Sequence, residues 1–131
     1  MKALIVDANV FLRFFVAGNR DQYKRASELF GKAKKGEVIL IIPQIIVFEV
    51  NYTLLKYYHF KKDEIIKALN SMVSVSYFEV ESKEIFIRAL KMYKDTSMDL
   101  TDCFLITKRE IENIEIFSFD KKLQKYAKDY G

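Results

Sequence analysis

The chain has little of what usually marks a disulfide-bonded or zinc-binding protein. Its 131 residues include one cysteine and one histidine. A single Cys103 excludes an intrachain disulfide, and with only His59 beside it no zinc cluster of the usual nitrogen and sulfur type can form. Any bound metal must therefore take oxygen ligands.

Chain breakers and long apolar runs are also scarce. One proline and four glycines leave little room for a linker. The longest apolar stretch, residues 38–50, contains Pro43, Gln44 and Glu49, so it is too short and too polar to cross a bilayer. The N-terminus lacks a charged region followed by a cleavable apolar segment. These two features lead us to expect a cytoplasmic protein. Because the chain has 131 residues and half of them are hydrophobic, we expect one domain over residues 1–131.

Short apolar runs alternate with amphipathic segments. Buried strands are predicted at residues 3–6, 38–42, 73–78 and 115–119, with helices between them and a short basic helix after Asp120. The helix predicted from Ser82 has a regular apolar stripe at Ile85, Phe86, Ala89, Leu90 and Tyr93. Such alternation predicts a three-layer α/β/α sandwich with a central parallel sheet of four to five short strands.

Four carboxylates stand beside these apolar runs, where a folded core normally excludes charge. Asp7 and Asp120 follow predicted strands, and Asp102 precedes a helical run. Glu49 lies inside an apolar helix. Ligands bind at the carboxyl ends of parallel strands, and a divalent cation compensates the cost of burying carboxylates. Oxygen ligands of this kind favour Mg²⁺ or Mn²⁺.

The charge balance points to a polyanionic substrate. The formal net charge is +4 and the isoelectric point is about 9.0. This balance fits a cluster of acids only if the basic residues surround the site; they recur at Lys32, Lys34, Lys35, Lys61, Lys62, Lys108, Arg109, Lys121, Lys122, Lys125 and Lys128. Most of them fit solvated helix faces equally well. A metal site within a basic surround suits phosphodiester hydrolysis.

The motifs around these acids resemble those of the PIN-domain nucleases, especially the VapC-type ribonuclease toxins of toxin–antitoxin pairs. The similar segments are IVDANV at residues 5–10, Glu49 in its helix, DLTDCFLI at residues 99–106, and SFD at residues 118–120. The resemblance implies a metal-dependent endoribonuclease acting on RNA, a homodimer, and a cognate antitoxin that blocks the cleft. Cys103 and Phe104 depart from the small residues common after the helix aspartate, and the chain ends soon after Asp120.

The candidate catalytic and metal-binding residues are Asp7, Glu49, Asp102 and Asp120. Asp120 would bind the metal directly or hold a bound water molecule. Asp99 is either a further metal ligand or only a negative charge that interacts favourably with the dipole at the N-terminus of its helix. Simpler roles remain open for three of the others: Asp7 could be a strand-end cap, Glu49 could pair with a lysine or arginine, and Asp102 could be a helix cap.

Three neighbouring residues have candidate supporting roles. Asn9 and Ser118 could orient Asp7 and Asp120 by hydrogen bonds, although turn and cap roles fit them too. Arg13 could contact an RNA phosphate, or it could be an ordinary exposed arginine. Other functions are also open: an RNA-processing nuclease that is not a toxin, a non-catalytic RNA-binding or partner-docking domain, and a phosphotransfer protein. The last lacks the acidic pair that such proteins use.

Overall fold

The computed structural model describes residues 1–126, so Lys128 of the basic tail lies outside the described part. The chain divides into two compact units, Met1–Lys83 and a second that begins at Glu84.

The first unit is built on a parallel sheet. Its elements are β1 (Lys2–Ile5), α1 (Ala8–Phe15), α2 (Arg20–Lys34), β2 (Val38–Ile42), α3 (Gln44–Lys56), α4 (Lys62–Val73) and β3 (Phe78–Val80). The strands lie in the order β1-β2-β3. Both pairings are parallel. In their register, Leu4 lies opposite Leu40, and Leu40 lies opposite Phe78. The predicted mixed α/β class with a parallel sheet is confirmed.

The regular elements of the second unit, within its described residues, are all helices. It contains α5 (Lys83–Asp95), which starts at the boundary, α6 (Leu100–Glu112) and α7 (Lys121–Gln124). The five residues of the predicted stripe on α5 are all buried. The periodicity therefore identified the inner face of this helix correctly.

The prediction of four to five strands is wrong for the described residues, which form three. Residues 115–119 have no regular secondary structure, and Phe117 and Phe119 are 69% and 88% exposed. Apolar composition favours a strand, but a strand also needs a neighbour to pair its backbone groups. The strand predicted at residues 73–78 is also wrong except at its last residue, because Val73 ends α4, where it is buried, and β3 begins only at Phe78.

Aromatic packing joins α1 and α2. The Phe11 ring stacks on Phe30 with centroids 5.3 Å apart, and Phe14 stacks on Tyr23 at the same distance. The Asn19 side chain begins α2 by accepting a hydrogen bond from the Gln22 amide. Over residues 1–126, no helix is long and apolar enough to cross a membrane.

Candidate functional site

Asp7 lies at the carboxyl end of β1, as predicted. The Val6 amide donates to the Ile41 carbonyl at 3.1 Å, which continues the pairing with β2 up to this residue. Asp7 then caps α1, because its Oδ1 accepts from the Val10 amide at 3.4 Å. Its side chain is exposed. The carboxylate is therefore held at the edge of the sheet and remains open to a ligand.

Glu49 lies on α3, which follows β2. The interior face of this helix carries Val47, Val50 and Leu54, all buried, whereas Glu49 is exposed. The expectation of an acid within a buried stretch is therefore wrong for Glu49, because the helix buries only one side. Helix α3 packs against α1, which Asp7 begins.

A carboxylate that the sequence analysis missed, Glu81, follows β3 at the same edge. Its Oε1 accepts from the Gln44 amide at 2.7 Å and so caps α3, while the Ser82 hydroxyl donates to Gln44 Oε1 at 3.0 Å. The signal was present, because Glu81 follows an apolar strand just as Asp7 does. Its contacts fit an anchor for α3.

In the second unit, two aspartates lie together at the start of α6. Asp99 caps this helix, since its Oδ1 accepts from the Asp102 amide at 2.8 Å. Asp102 is half-buried in the first helical turn. Its pKa is raised, first by burial and then by the negative charges of Asp99 and Asp120, with Lys122 acting in the opposite direction. Burial and the neighbouring acids therefore disfavour the ionised form of Asp102, and Lys122 offsets this only in part.

Asp120 is placed by its own turn. Its amide donates to Ser118 Oγ at 2.9 Å, and its Oδ1 accepts from the Lys122 amide at 2.8 Å at the start of α7. Ser118 thus contacts the backbone of Asp120 rather than its carboxylate. This contact corresponds to the turn role that the sequence left open for Ser118.

The loop before α6 is ordered by Thr96. Its hydroxyl donates to the Met92 carbonyl at 2.8 Å and accepts from the Met98 amide at 3.3 Å. Tyr93, which sequence analysis treated only as a core residue, is buried, and its pKa is raised by burial, then by Asp99 and Cys103. The Tyr93 hydroxyl is therefore within range of the charge of Asp99.

The two unusual residues after Asp102 are accommodated in the interior. Cys103 is fully buried with its Sγ 3.9 Å from Thr96 Oγ1, and the Phe104 ring lies 4.9 Å from Phe86. Both side chains are therefore part of the core of the second unit.

The donor chemistry fits a hard divalent cation. Asp99, Asp102 and Asp120 offer only carboxylate oxygens, and the pKa of Asp102 is raised by burial and then by the charges of the other two. Within residues 1–126, no three His, Cys, Asp or Glu side chains are already arranged to hold a metal ion. A bound cation would have to draw the carboxylates closer together.

Asn9 and Arg13 both lie on α1, the helix that Asp7 caps. Both line a cavity of about 420 Å³ between α1 and α2, and Arg13 Nε donates to Gln22 Oε1 at 2.6 Å. Asn9 is the first residue in the chain that lines this groove, two positions after Asp7.

A strand-edge aspartate, an acidic helix start and a parallel sheet define a class of protein, and comparison with known families identifies that class. The PIN domain model matches residues 4–129. The chain therefore belongs to the PIN domain family, as its motifs predicted.

A named relative is similar over most of the chain. The VapC ribonuclease of Aquifex aeolicus (strain VF5) is 25% identical over 123 residues, which covers 92% of this chain and 90% of that protein.

Proposed function

We propose that this protein is a divalent-metal-dependent endoribonuclease that hydrolyses RNA phosphodiester bonds. The observation that carries the proposal is the group of carboxylates at the starts of α6 and α7, where Asp99 caps the helix that carries Asp102, and burial, followed by the charges of Asp99 and Asp120, raises the pKa of Asp102. Family membership and the similarity to a VapC ribonuclease support the same activity. A bound Mg²⁺ or Mn²⁺ would activate water and stabilise the charge of the transition state.

The surrounding residues hold the proposed ligands in place. Asp99 fixes the start of α6, and with it the position of Asp102. Ser118 and the Lys122 amide fix Asp120. Ordered supports of this kind reduce the reorganisation needed for ligand binding.

We extend the proposal to Asp7 and Glu49 as further catalytic metal ligands. Their support is the order of the family motifs, together with exposed carboxylates on the packed helices α1 and α3. Asp99 is kept as a doubtful ligand, because it already serves as a helix cap.

The similarity to VapC further supports a toxin role. We propose that the protein acts in the cytoplasm as a homodimer and is inhibited by a cognate antitoxin protein. Induced expression should arrest growth, and the Asp102→Asn variant should relieve the arrest. Growth arrest by the variant at equal protein level would contradict a toxin role based on cleavage.

Cleavage of RNA tests the proposed activity directly. Purified protein is incubated with labelled single-stranded RNA in Mg²⁺, in Mn²⁺ and in EDTA. Asp7→Asn and Asp102→Asn should each reduce cleavage by at least about 100-fold, which corresponds to about 2.7 kcal/mol of transition-state stabilisation. Matched controls are Asp63→Asn and Asp95→Asn, because both acids are exposed and lie outside the candidate set. Equal cleavage by candidate and control variants would reject the site.

A further inference from the structure

A concave surface between α1 and α2 is not used by the carboxylate chemistry. It encloses about 420 Å³ and is contained within the first unit. We call this surface the α1–α2 groove and define it by the residues that line it: Asn9, Val10, Arg13, Gln22, Arg25, Ala26, Glu28, Leu29 and Lys32.

The charged residues of the groove are mostly cations. Arg13, Arg25 and Lys32 line it, against the single acid Glu28. Arg25 and Lys32 are exposed, so their charges face solvent. They lie seven residues apart on α2, which separates them by about 10 Å along the helix axis. Such spacing allows contact with more than one phosphate of an extended strand.

Arg13 is held in a defined position. Its Nε donates to Gln22 Oε1 at 2.6 Å, which links α1 to α2 across the groove. The contact uses one nitrogen of the guanidinium, so the other donors remain for a ligand. A planar guanidinium of this kind suits bidentate contact with a phosphate.

The floor of the groove is apolar. Ala26 is buried, and Val10 and Leu29 are half-buried between the charged side chains. An apolar floor with a cationic rim matches a nucleotide strand, whose sugars are less polar than its phosphates. A single strand fits a narrow concave groove, whereas a duplex presents its phosphates on a stiff convex surface.

The groove also begins beside a proposed catalytic residue. Asp7 caps α1, and Asn9, Val10 and Arg13 on the first two turns of that helix line the groove. A strand lying in the groove would therefore have one end at Asp7.

We propose that the α1–α2 groove binds the sugar–phosphate backbone of a single RNA strand next to the bond that is cleaved. The assignment rests on the proposed ribonuclease function and adds to it the path of the substrate. Arg13, Arg25 and Lys32 supply the phosphate contacts.

The test measures RNA binding separately from cleavage. A fluorescent single-stranded RNA is titrated with protein in EDTA, where cleavage is absent, at several salt concentrations. The variant Arg25→Gln/Lys32→Gln leaves the Arg13–Gln22 contact intact. The matched control is Lys24→Gln/Lys34→Gln, which removes the same charge from exposed positions on α2 outside the groove.

We expect the groove variant to weaken RNA binding at least about tenfold relative to the control. The slope of log K against log salt should fall by about 1.4, since each phosphate contact on a single strand contributes about 0.7. In Mg²⁺, the groove variant should raise KM and leave kcat near its original value. Unchanged unfolding midpoints would show that both variants are folded.

The failure of this inference differs from the failure of the proposed function. RNA binding that depends on Arg25 and Lys32 without any cleavage would support the groove and count against the nuclease. Metal-dependent cleavage with equal binding by groove and control variants would overturn the groove. Equal affinity for duplex RNA, or tighter groove-dependent binding of an acidic peptide, would also overturn it.

Discussion

The surroundings of Asp102 disfavour the ionised form of its side chain. Burial raises its pKa above the ordinary value of 3.8, and the Asp99 and Asp120 carboxylates raise it further. A folded-state pKa above the unfolded value means that the contribution to stability is complete below pH 3.8 and is lost as pH rises through the folded pKa. At neutral pH the ionised side chain therefore lowers the stability of the metal-free protein.

We accordingly expect Asp102→Asn to raise the free energy of unfolding in EDTA at neutral pH, while abolishing cleavage. The wild-type protein and the variant should differ less as pH falls toward the ordinary carboxyl pKa. Urea unfolding between pH 3 and pH 8 measures this difference, with Asp95→Asn as the control. A less stable variant at neutral pH would contradict the assigned repulsion.

Tyr93 is a second group whose pKa is raised in the folded protein, and it titrates in the alkaline range. Burial, followed by Asp99 and Cys103, raises its pKa above 10.0, so stability is complete below pH 10.0 and is lost as pH rises through the folded pKa. Tyr93→Phe should therefore make stability fall less steeply above pH 10. The comparison uses the slope, because loss of the hydroxyl also changes stability at every pH.

The control for this measurement is Tyr57→Phe, since Tyr57 is 74% exposed. Unfolding is followed from pH 8 to pH 11. An equal slope in the Tyr93 variant and the wild-type protein would show that Tyr93 does not titrate differently in the folded state.

At the scale of an element, variants of Asp99 at the start of α6 distinguish its role as a helix cap from a role as a metal ligand. Asp99→Ala should cost about 1 kcal/mol of stability, because the Asp102 amide loses its acceptor, whereas Asp99→Asn keeps a cap. We expect Asp99→Asn to reduce cleavage only about tenfold, as for a residue that supports a ligand. Urea unfolding and cleavage rates measure both effects. A loss as large as that of Asp102→Asn would make Asp99 a ligand.

The packing of α5 and α6 depends on the unusual Phe104. This residue is 3% exposed and lies against Phe86. Phe104→Ala should cost about 3–5 kcal/mol because it leaves a cavity. The neighbouring Leu105 is 39% exposed, so Leu105→Ala should cost far less in the same unfolding experiment. Similar losses would show that Phe104 is not a core residue.

At the scale of the whole molecule, cation binding should stabilise the folded state. A ligand at 100 times its Kd adds about 2.7 kcal/mol when it binds only the folded protein. Mn²⁺ should therefore raise the unfolding midpoint of the wild-type protein, and less so in Asp7→Asn and Asp102→Asn. Asp63→Asn is the control. An equal rise in all four proteins would place the bound cation away from the proposed ligands.

Much of the fold follows from local patterns. The stripe on α5 was predicted completely, since a helix repeats every 3.6 residues and its buried side is visible in the sequence. The parallel α/β class and the PIN family were likewise predicted, and Asp7 was placed correctly at the end of β1.

Errors arose where the answer depended on a distant segment. Residues 115–119 are as apolar as a strand but have no regular structure, because composition does not specify a pairing partner. Glu49 proved exposed because an apolar helix can still turn one side to solvent. Glu81 was missed because its partner, the Gln44 amide, is 37 residues away.

The sequence by itself determined the parallel α/β class, the family and the inner face of α5, because periodicity and short motifs act within a few residues. Only the tertiary structure decided how Asp99, Asp102 and Asp120 affect one another, and which cations line the α1–α2 groove. Electrostatic interaction depends on distance in space, and folding alone brings such side chains together.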